Sequence, residues 1–457
     1  MDNNPSVTAT VARGASWLSV STVLLKFIGI GTMVLVLSNL SVYEYGAVEL
    51  ALSVLPLMSI FMLPGLSTVV IADMGIEKSR GEMGKVKGLY LSFFKTNVLF
   101  ALVAWAVLFF GSNIIAQFYN EHIGFLFKIV SISLLVSPIR AAYQTFFAVN
   151  LQFREQALVG IFEEICKLIL VAVLVAYFKL GIIGMLFAVT LSQVGSAILV
   201  FPRFFSSYKK TLAPHKKQAV SILSLIRAHA KWGILATYTG SFGQSARLFV
   251  IKGVLGTEAV GLFALALGLW NHLASLIQLP QVVGPLITQS VHDTHRFITL
   301  ITKGIKYQFI TFCISAVGAL LFLPLLISFL FPKYGAALPL FNILLLMLVP
   351  MSFDYFFNYA FFALRAQKDL FIASLYKVIL TLLFFWIGGT YFGLSGIGYG
   401  FVLVSSLYCI ERYRRLKKLI PGFVISPKMF FKVDELDMLV VRKLIGTVSS
   451  KIPFLRT

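Results

Sequence analysis

The chain has 457 residues, of which 58% are apolar and 12% are Asp, Glu, Lys or Arg, about half the charged share of an ordinary soluble domain. That balance excludes a water-soluble globule and leaves enough apolar chain for about twelve membrane-spanning helices of about 20 residues each. Lysine plus arginine outnumber aspartate plus glutamate by 39 to 18, a formal charge of +21; in so apolar a chain this points to basic cytoplasmic loops, not to a nucleic-acid partner.

Apolar runs separated by polar or Gly/Pro clusters predict helices over 16–38, 46–71, 89–110, 125–149, 156–178 and 181–201. Six more follow over 232–255, 260–288, 305–330, 338–363, 370–391 and 394–410. Arg13 precedes an apolar run that continues to Leu37. The run is too long for the core of a signal peptide and has no cleavage site, so it counts as the first span. Pro56, Pro64, Pro138, Pro280, Pro285, Pro324 and Pro350 fall within runs, which membrane helices tolerate because neighbours satisfy the freed backbone groups. Cys166, Cys313 and Cys409 are scattered through apolar runs and form no disulfide framework.

Orientation follows from the basic residues. With both termini in the cytoplasm, 29 of the 39 fall in cytoplasmic segments and only Lys179, Lys252 and Lys333 on the opposite side, the asymmetry expected of the positive-inside rule. The outer loops are short, 111–124 being the longest, and leave no room for an external catalytic domain. On the cytoplasmic side, 219–230 and 434–446 carry apolar residues at helical spacing, among them Leu436, Val440 and Leu444. Both read as amphipathic helices lying on anionic phospholipid, with partner docking as the alternative.

The chain repeats itself at an offset of about 215 residues. Trp17 matches Trp232, Gly46 matches Gly261, 50–52 (Leu-Ala-Leu) matches 265–267, and 146–148 (Phe-Phe-Ala) matches 361–363. Tyr177, Phe178, Leu180, Ile183, Gly184 and Phe187 match Tyr391, Phe392, Leu394, Ile397, Gly398 and Phe401 at a shared offset of 214. Six spans return the chain to its starting side, so the halves are parallel repeats with a substrate path expected between them. The predicted fold is all-α: a polytopic membrane protein of about 12 transmembrane helices in two six-helix lobes. Residues 1–210 form the first lobe, 211–231 a cytoplasmic amphipathic linker, 232–418 the second lobe and 419–457 a basic tail.

With Lys252 and Lys306 counted in the loops they adjoin, seven basic residues fall within predicted spans: Lys26, Lys95, Lys128, Arg140, Lys167, Arg247 and Lys377. Facing lipid, they would together cost on the order of 20 kcal/mol, so a wet interior is the expected place for most of them. Several sit on polar stripes at helical period: Ser19, Thr22, Lys26 and Gly29; Ser133, Ser137, Arg140 and Gln144; Thr237, Ser241, Gln244 and Arg247; Ser374, Lys377 and Thr381. Lys95, Lys128 and Lys377 lie nearer span ends, where snorkelling to headgroups is an equal alternative. The intramembrane acids are Glu163, Glu164 and Asp354, with Glu49 near an outer end. Glu163 and Lys167, at i and i+4, are expected to pair. The acids read either as counter-ions or as sites of ion coupling. The interior is left net positive, which suits an anionic substrate such as a diphosphate.

No phosphate-binding loop occurs, since the run at Gly84–Lys85 lacks the earlier glycine and the hydroxyl. Gly396, Gly398 and Gly400 read as close helix packing. His292, Asp293 and His295 read as solvated, and His272 as a polar-network member. No cofactor or metal is expected.

The stretch SVYEYGAVELALSVL after the first span, its echo LGTEAVGLFALALGLW, and FPKYGAALPLFNILLLMLVP before FFALRAQKD resemble the polysaccharide transporter family of the multidrug/oligosaccharidyl-lipid/polysaccharide exporter superfamily, over about residues 10–420. The resemblance implies a non-enzymatic flippase of the bacterial inner membrane. Its substrate would be an undecaprenyl-diphosphate-linked oligosaccharide of O-antigen type, moved by ion-coupled alternating access. A polysaccharide polymerase and a chain-length regulator are the implied partners. The family has no strict site signature, so the site rests on the charges: Lys26, Arg140, Arg247, Lys377, Lys95 and Lys128 for the substrate, and Glu163, Glu164, Asp354 and Lys167 for ion coupling. A drug/ion antiporter of the same superfamily should have an acidic cavity instead. A membrane polymerase or glycosyltransferase should have a large catalytic loop.

Overall fold

A computed structural model describes residues 7–62, 66–118, 124–218, 231–275, 279–426 and 430. The segments 219–230 and 434–446 lie outside these. Among the described residues every regular element is helical: α1 Val7–Asn39, α2 Val42–Leu52, α3 Val54–Met58, α4 Leu66–Ser79, α5 Met83–Phe118, α6 Gly124–Val149, α7 Phe153–Val171 and α8 Gly181–Thr211. The second half continues with α9 Lys231–Leu255, α10 Thr257–Ala274, α11 Leu279–Gln289, α12 Thr294–Leu330, α13 Ala337–Leu345, α14 Leu348–Ala363 and α15 Gln367–Leu419. α15 is two spans, because Gly393 adopts a left-handed conformation at φ 60° that breaks it at its midpoint.

Three predicted spans are broken where the sequence suggests continuous helices. The run 46–71 divides into α2, α3, a tight turn and α4; 260–288 into α10 and α11; and 338–363 into α13 and α14, which meet at 52°. In each case a proline opens the new piece: Pro56 in α3, Pro280 in α11 and Pro350 in α14. In a first turn the missing N–H costs nothing. Pro138, Pro202 and Pro324, by contrast, remain inside continuous helices. α2 begins on a reciprocal cap, with the Glu44 amide donating to Ser41 Oγ at 3.2 Å and the Ser41 amide donating to Glu44 Oε2 at 2.8 Å.

The repeat is built into the geometry. Arg154 lies over the Trp17 ring at 5.5 Å, and Lys368 over the matching Trp232 at 5.8 Å. Left-handed residues recur 214 positions apart, at Leu151 and Arg365 and again at Lys179 and Gly393. Gly46 and Gly261 touch each other: a Cβ on Gly46 would strike the Thr257 carbonyl and the Gly261 amide, and one on Gly261 would strike the Val42 carbonyl. The paired glycines therefore bring α2 and α10 into backbone contact across the lobe boundary.

The shape of the cores shows how the lobes meet. Call the end where α1 begins and α15 finishes the terminal face. In the half away from it, one core spans both lobes, joining Val36, Leu40 and Val48 to Phe263, Phe341 and Phe401. In the half near it the lobes keep separate cores, around Phe93 and Phe146 in the first and around Phe297 and Phe356 in the second. A cleft consequently opens between the lobes toward the terminal face. At the far face Tyr334 Oη donates toward the Leu40 and Ser41 carbonyls at 3.1 and 3.3 Å, and Lys333 Nζ to the Ser38 carbonyl at 3.1 Å. Large apolar side chains such as Phe27, Phe110, Phe322 and Phe329 are exposed around the outside, as a lipid-facing surface requires.

Candidate functional site

Two cavities flank the cleft. The first, of about 670 Å³, is bounded by α1, α6, α7 and α10 and is lined by Lys26, Arg140, Glu163, Glu164, Lys167 and His272, among others. Thr22 and Gly29 of the first polar stripe join Lys26 there; the side chain of Ser19 lies outside the described residues. The expected Glu163–Lys167 pair does not form. Arg140 Nη1 bonds Glu163 Oε1 at 2.9 Å, and Lys167 Nζ bonds Glu164 Oε1 at 2.6 Å. The reason is tertiary: Glu163 faces α6, where a guanidinium competes for it, and Lys167 turns to the acid one position nearer. Lys26 Nζ donates to the Ser275 carbonyl of the other lobe. Ser133 and Ser137 of the α6 stripe are structural, since Ser133 Oγ meets Thr190 Oγ1 at 3.2 Å and Ser137 Oγ bonds the Leu134 carbonyl.

The second cavity, of about 520 Å³, lies among α4, α9, α14 and α15 and is lined by Thr237, Gln244, Asn358, Ser374 and Tyr408. Arg247 continues the α9 stripe one turn past Gln244. Its guanidinium lies over Phe263 and Phe401 at 5.7 and 5.2 Å, and its buried Nε has no hydrogen-bond partner. Lys377 Nζ sits over the Tyr408 ring at 4.5 Å. Neither cation is ion-paired among the described residues. Rings supply their local stabilisation.

Asp354 is taken by a residue that sequence reasoning counted among the cytoplasmic cations, beyond the last predicted span. Arg412 is fully buried; its Nη1 pairs with Asp354 Oδ1, and its Nη2 bonds Asn358 Oδ1 at 2.7 Å. The predicted last helix stops at residue 410, whereas α15 runs to Leu419. The signal was the spacing Ser405, Tyr408, Arg412, which continues one helical face. Lys306, counted with the cytoplasmic cations, is likewise buried, about three turns into α12.

Of the six predicted substrate residues only Lys26 and Arg140 line a cavity; Arg247 and Lys377 sit behind the Gln244 and Tyr408 lining of the second, and Lys95 and Lys128 lie apart from both. Lys95 is exposed on α5, and Lys128 lies over the Phe109 ring at 5.7 Å. His292 and His295 are exposed and Asp293 caps α12 by accepting from the Arg296 amide at 3.0 Å. The glycines of 396–400 pack closely: Gly396 against the Gly388 carbonyl, Gly398 against Leu340 and Gly400 against Phe384.

The two lobes arrange their charges in opposite order. Glu163 and Lys377 occupy the same place in the repeat, and Asp354 falls one residue before the position matching Arg140. The first cavity combines Lys26, Arg140 and Lys167 with two acids. The second region combines Arg247, Lys377 and Arg412 with Asp354 alone. Cations are in surplus in both, and the surplus is larger in the second lobe.

Residues 36–334 match the model of a family described as polysaccharide biosynthesis protein. A teichuronic acid biosynthesis protein, TuaB, of Bacillus subtilis (strain 168) is 22% identical over 268 residues, covering 57% of this chain and 52% of the relative. The match thus spans about half the length of that relative. Among solved structures, an inward-facing multidrug resistance MATE family transporter of the MOP superfamily superposes with a TM-score of 0.73 at 14% identity, covering 87% of this chain and 95% of that one. An outward-facing MATE transporter gives 0.65 at 12% identity, covering 92% and 97%. A MOP superfamily transporter of Pyrococcus furiosus, described as having a binding pocket of reverse polarity, gives 0.65 at 13% identity, covering 91% and 96%.

Proposed function

Because the chain belongs to the polysaccharide biosynthesis protein family and has the two-lobed fold of MOP superfamily transporters, we propose that it is a flippase for a lipid-linked anionic saccharide. The substrate is an undecaprenyl-diphosphate oligosaccharide, an O-antigen or related repeat unit, moved across a bacterial inner membrane by alternating access. Both termini lie in the cytoplasm, so the cleft receives substrate on the side where such precursors are assembled. The observation that carries this reading is the pair Arg247 and Lys377, two inward cations with no acid bonded to them. A diphosphate supplies the missing negative charge, and a guanidinium grips it with forked hydrogen bonds.

Lys26 and Arg140 line the opposite wall and complete the contact with the head group. Coupling to an ion gradient falls to the titratable groups of the two regions, with Glu163, Glu164, Lys167 and Asp354 as candidates. An exporter of cationic drugs would need acids in these places, and the surplus runs the other way.

The test is surface polysaccharide in a strain that depends on this chain, measured beside protein abundance. Arg247→Ala and Lys377→Ala should each cut surface polysaccharide severely at normal abundance, while Lys95→Ala should not. Wild-type polysaccharide in both Arg140→Ala and Arg247→Ala would refute the cation site.

A further inference from the structure

Each acid of the two charged regions is held by a cation: Glu163 by Arg140, Glu164 by Lys167 and Asp354 by Arg412. His272 is different. It stands on α10, lines the first cavity beside Lys26 of the other lobe, and is in no ion pair among the described residues. Lys26 reaches across the lobe boundary to the carbonyl of Ser275, one turn beyond His272, and Ser275 Oγ donates to the His272 carbonyl at 3.0 Å. Ser275 is the C-cap of α10, so the ammonium also meets the negative end of that helix. α1 and α10 have no extensive packing of their own. This side chain links them near the place where the shared core gives way to the cleft.

The charged and titratable groups around His272 are few. Lys26 comes from α1, Arg140 from α6, Glu163, Glu164 and Lys167 from α7, and Tyr355 from α14. α12 and α13, also packed on α10, contribute Phe312 and Leu344 to the shared core. α9 contributes Arg247, which lies on Phe263, nine residues back along α10 or about 13 Å of helix rise. α2 contributes Glu49, which is hydrogen-bonded to Tyr45.

We infer that His272 is a proton-binding site that couples protonation to lobe movement. An imidazolium beside the Lys26 ammonium weakens the Lys26–Ser275 bridge, because like charges lining one cavity repel. Protonation therefore drives the protein out of the conformation whose cleft opens at the terminal face. Rocking the lobes to open the far face moves α1 relative to α10, which relieves the repulsion and stabilises the proton. The inference rests on the alternating-access reading above and assigns its proton to a residue outside the acid set.

The test measures the distance between spin labels on the full chain in lipid nanodiscs, without substrate. Ser79→Cys and Thr294→Cys place one label on each lobe at the terminal face, both exposed, in a background with Cys166, Cys313 and Cys409 replaced by Ala. Acidification from about pH 8 to about pH 5 brackets the imidazole range. A one-unit difference in proton affinity between conformations then changes their ratio about tenfold, toward the shorter distance. His272→Gln should remove this shift and leave the distribution at the alkaline end as in wild type; His215→Gln, at an exposed histidine that lines neither cavity, should keep it. A shift of full size in His272→Gln overturns the inference. Should that variant not fold, Lys26→Gln decides the matter, because an unchanged shift without the ammonium overturns the inference equally. A wild-type distance that moves neither with pH nor with added lipid-linked saccharide would instead refute alternating access itself.

Discussion

Replacing Asp354 by Asn isolates the charge of the buried pair from its shape. Arg412 is completely buried, and three acceptors hold its terminal nitrogens: Asp354 Oδ1, the Asp354 carbonyl at 3.3 Å and Asn358 Oδ1 at 2.7 Å. Its Nε is already without a partner. An asparagine keeps an acceptor near Nη1 but leaves the guanidinium with no counter-charge in a site that water does not reach. Breaking a buried pair from one side typically costs about 3 to 5 kcal/mol, or about two to nearly four powers of ten in the folded ratio. Taking both charges away should recover most of that, since an apolar pair of similar volume often matches a buried ion pair. The assay is thermal unfolding of detergent-solubilised protein, followed by size-exclusion fluorescence of a tagged chain. The expected order is wild type, then Asp354→Leu with Arg412→Met, then Asp354→Asn well below both. If Asp354→Asn melts with wild type, or the double variant is no better than the single, Arg412 is not the uncompensated charge this geometry requires.

Other outcomes follow from the same contacts. Gly46→Leu should force α2 from α10 and open the far face, which a Ser38→Cys and Lys333→Cys pair would report as a several-fold fall in disulfide cross-linking. Tyr334→Phe removes one hydroxyl donor at that face and should cost about 1 kcal/mol, lowering the same cross-linking yield modestly without affecting expression. Glu163→Gln frees Arg140 and should tighten binding of an anionic head group, measured as a lower Kd for a soluble diphosphate–sugar analogue; a weaker Kd would show that Glu163 positions Arg140. Lys128→Ala should leave surface polysaccharide unchanged, because its ammonium lies on Phe109 away from both cavities.

Much of the architecture was legible because a bilayer restricts backbone geometry so severely. Span number and the two-lobe repeat follow from runs of apolar residues and from pairs such as Gly46 with Gly261 and Trp17 with Trp232. The breaks at Ser53, at the start of α11 and between α13 and α14 were not legible, since a proline inside an apolar run reads the same whether it kinks a helix or opens a new one. Glu163 chose Arg140 over Lys167 because tertiary contacts override helical spacing, which one-dimensional reasoning cannot weigh. Arg412 was misplaced for a simpler reason. A cation at a span end looks like a loop residue until the neighbouring helix is seen to bring it an aspartate.

The opposite charge order of the two lobes has a consequence for how a ligand settles. Two copies of one ancestral bundle would present identical walls, and an anion midway between them would feel no sideways pull. Here the position that carries Glu163 on one wall carries Lys377 on the other, so the cleft has an electric field running across it. Under the proposed function, a diphosphate entering the cleft would be drawn toward the Arg247 and Lys377 wall and turned so that its neutral portion faces Glu163 and Glu164. The duplication supplied a symmetric pair of lobes, and the exchange of sign between them supplies a direction in which to orient an asymmetric cargo.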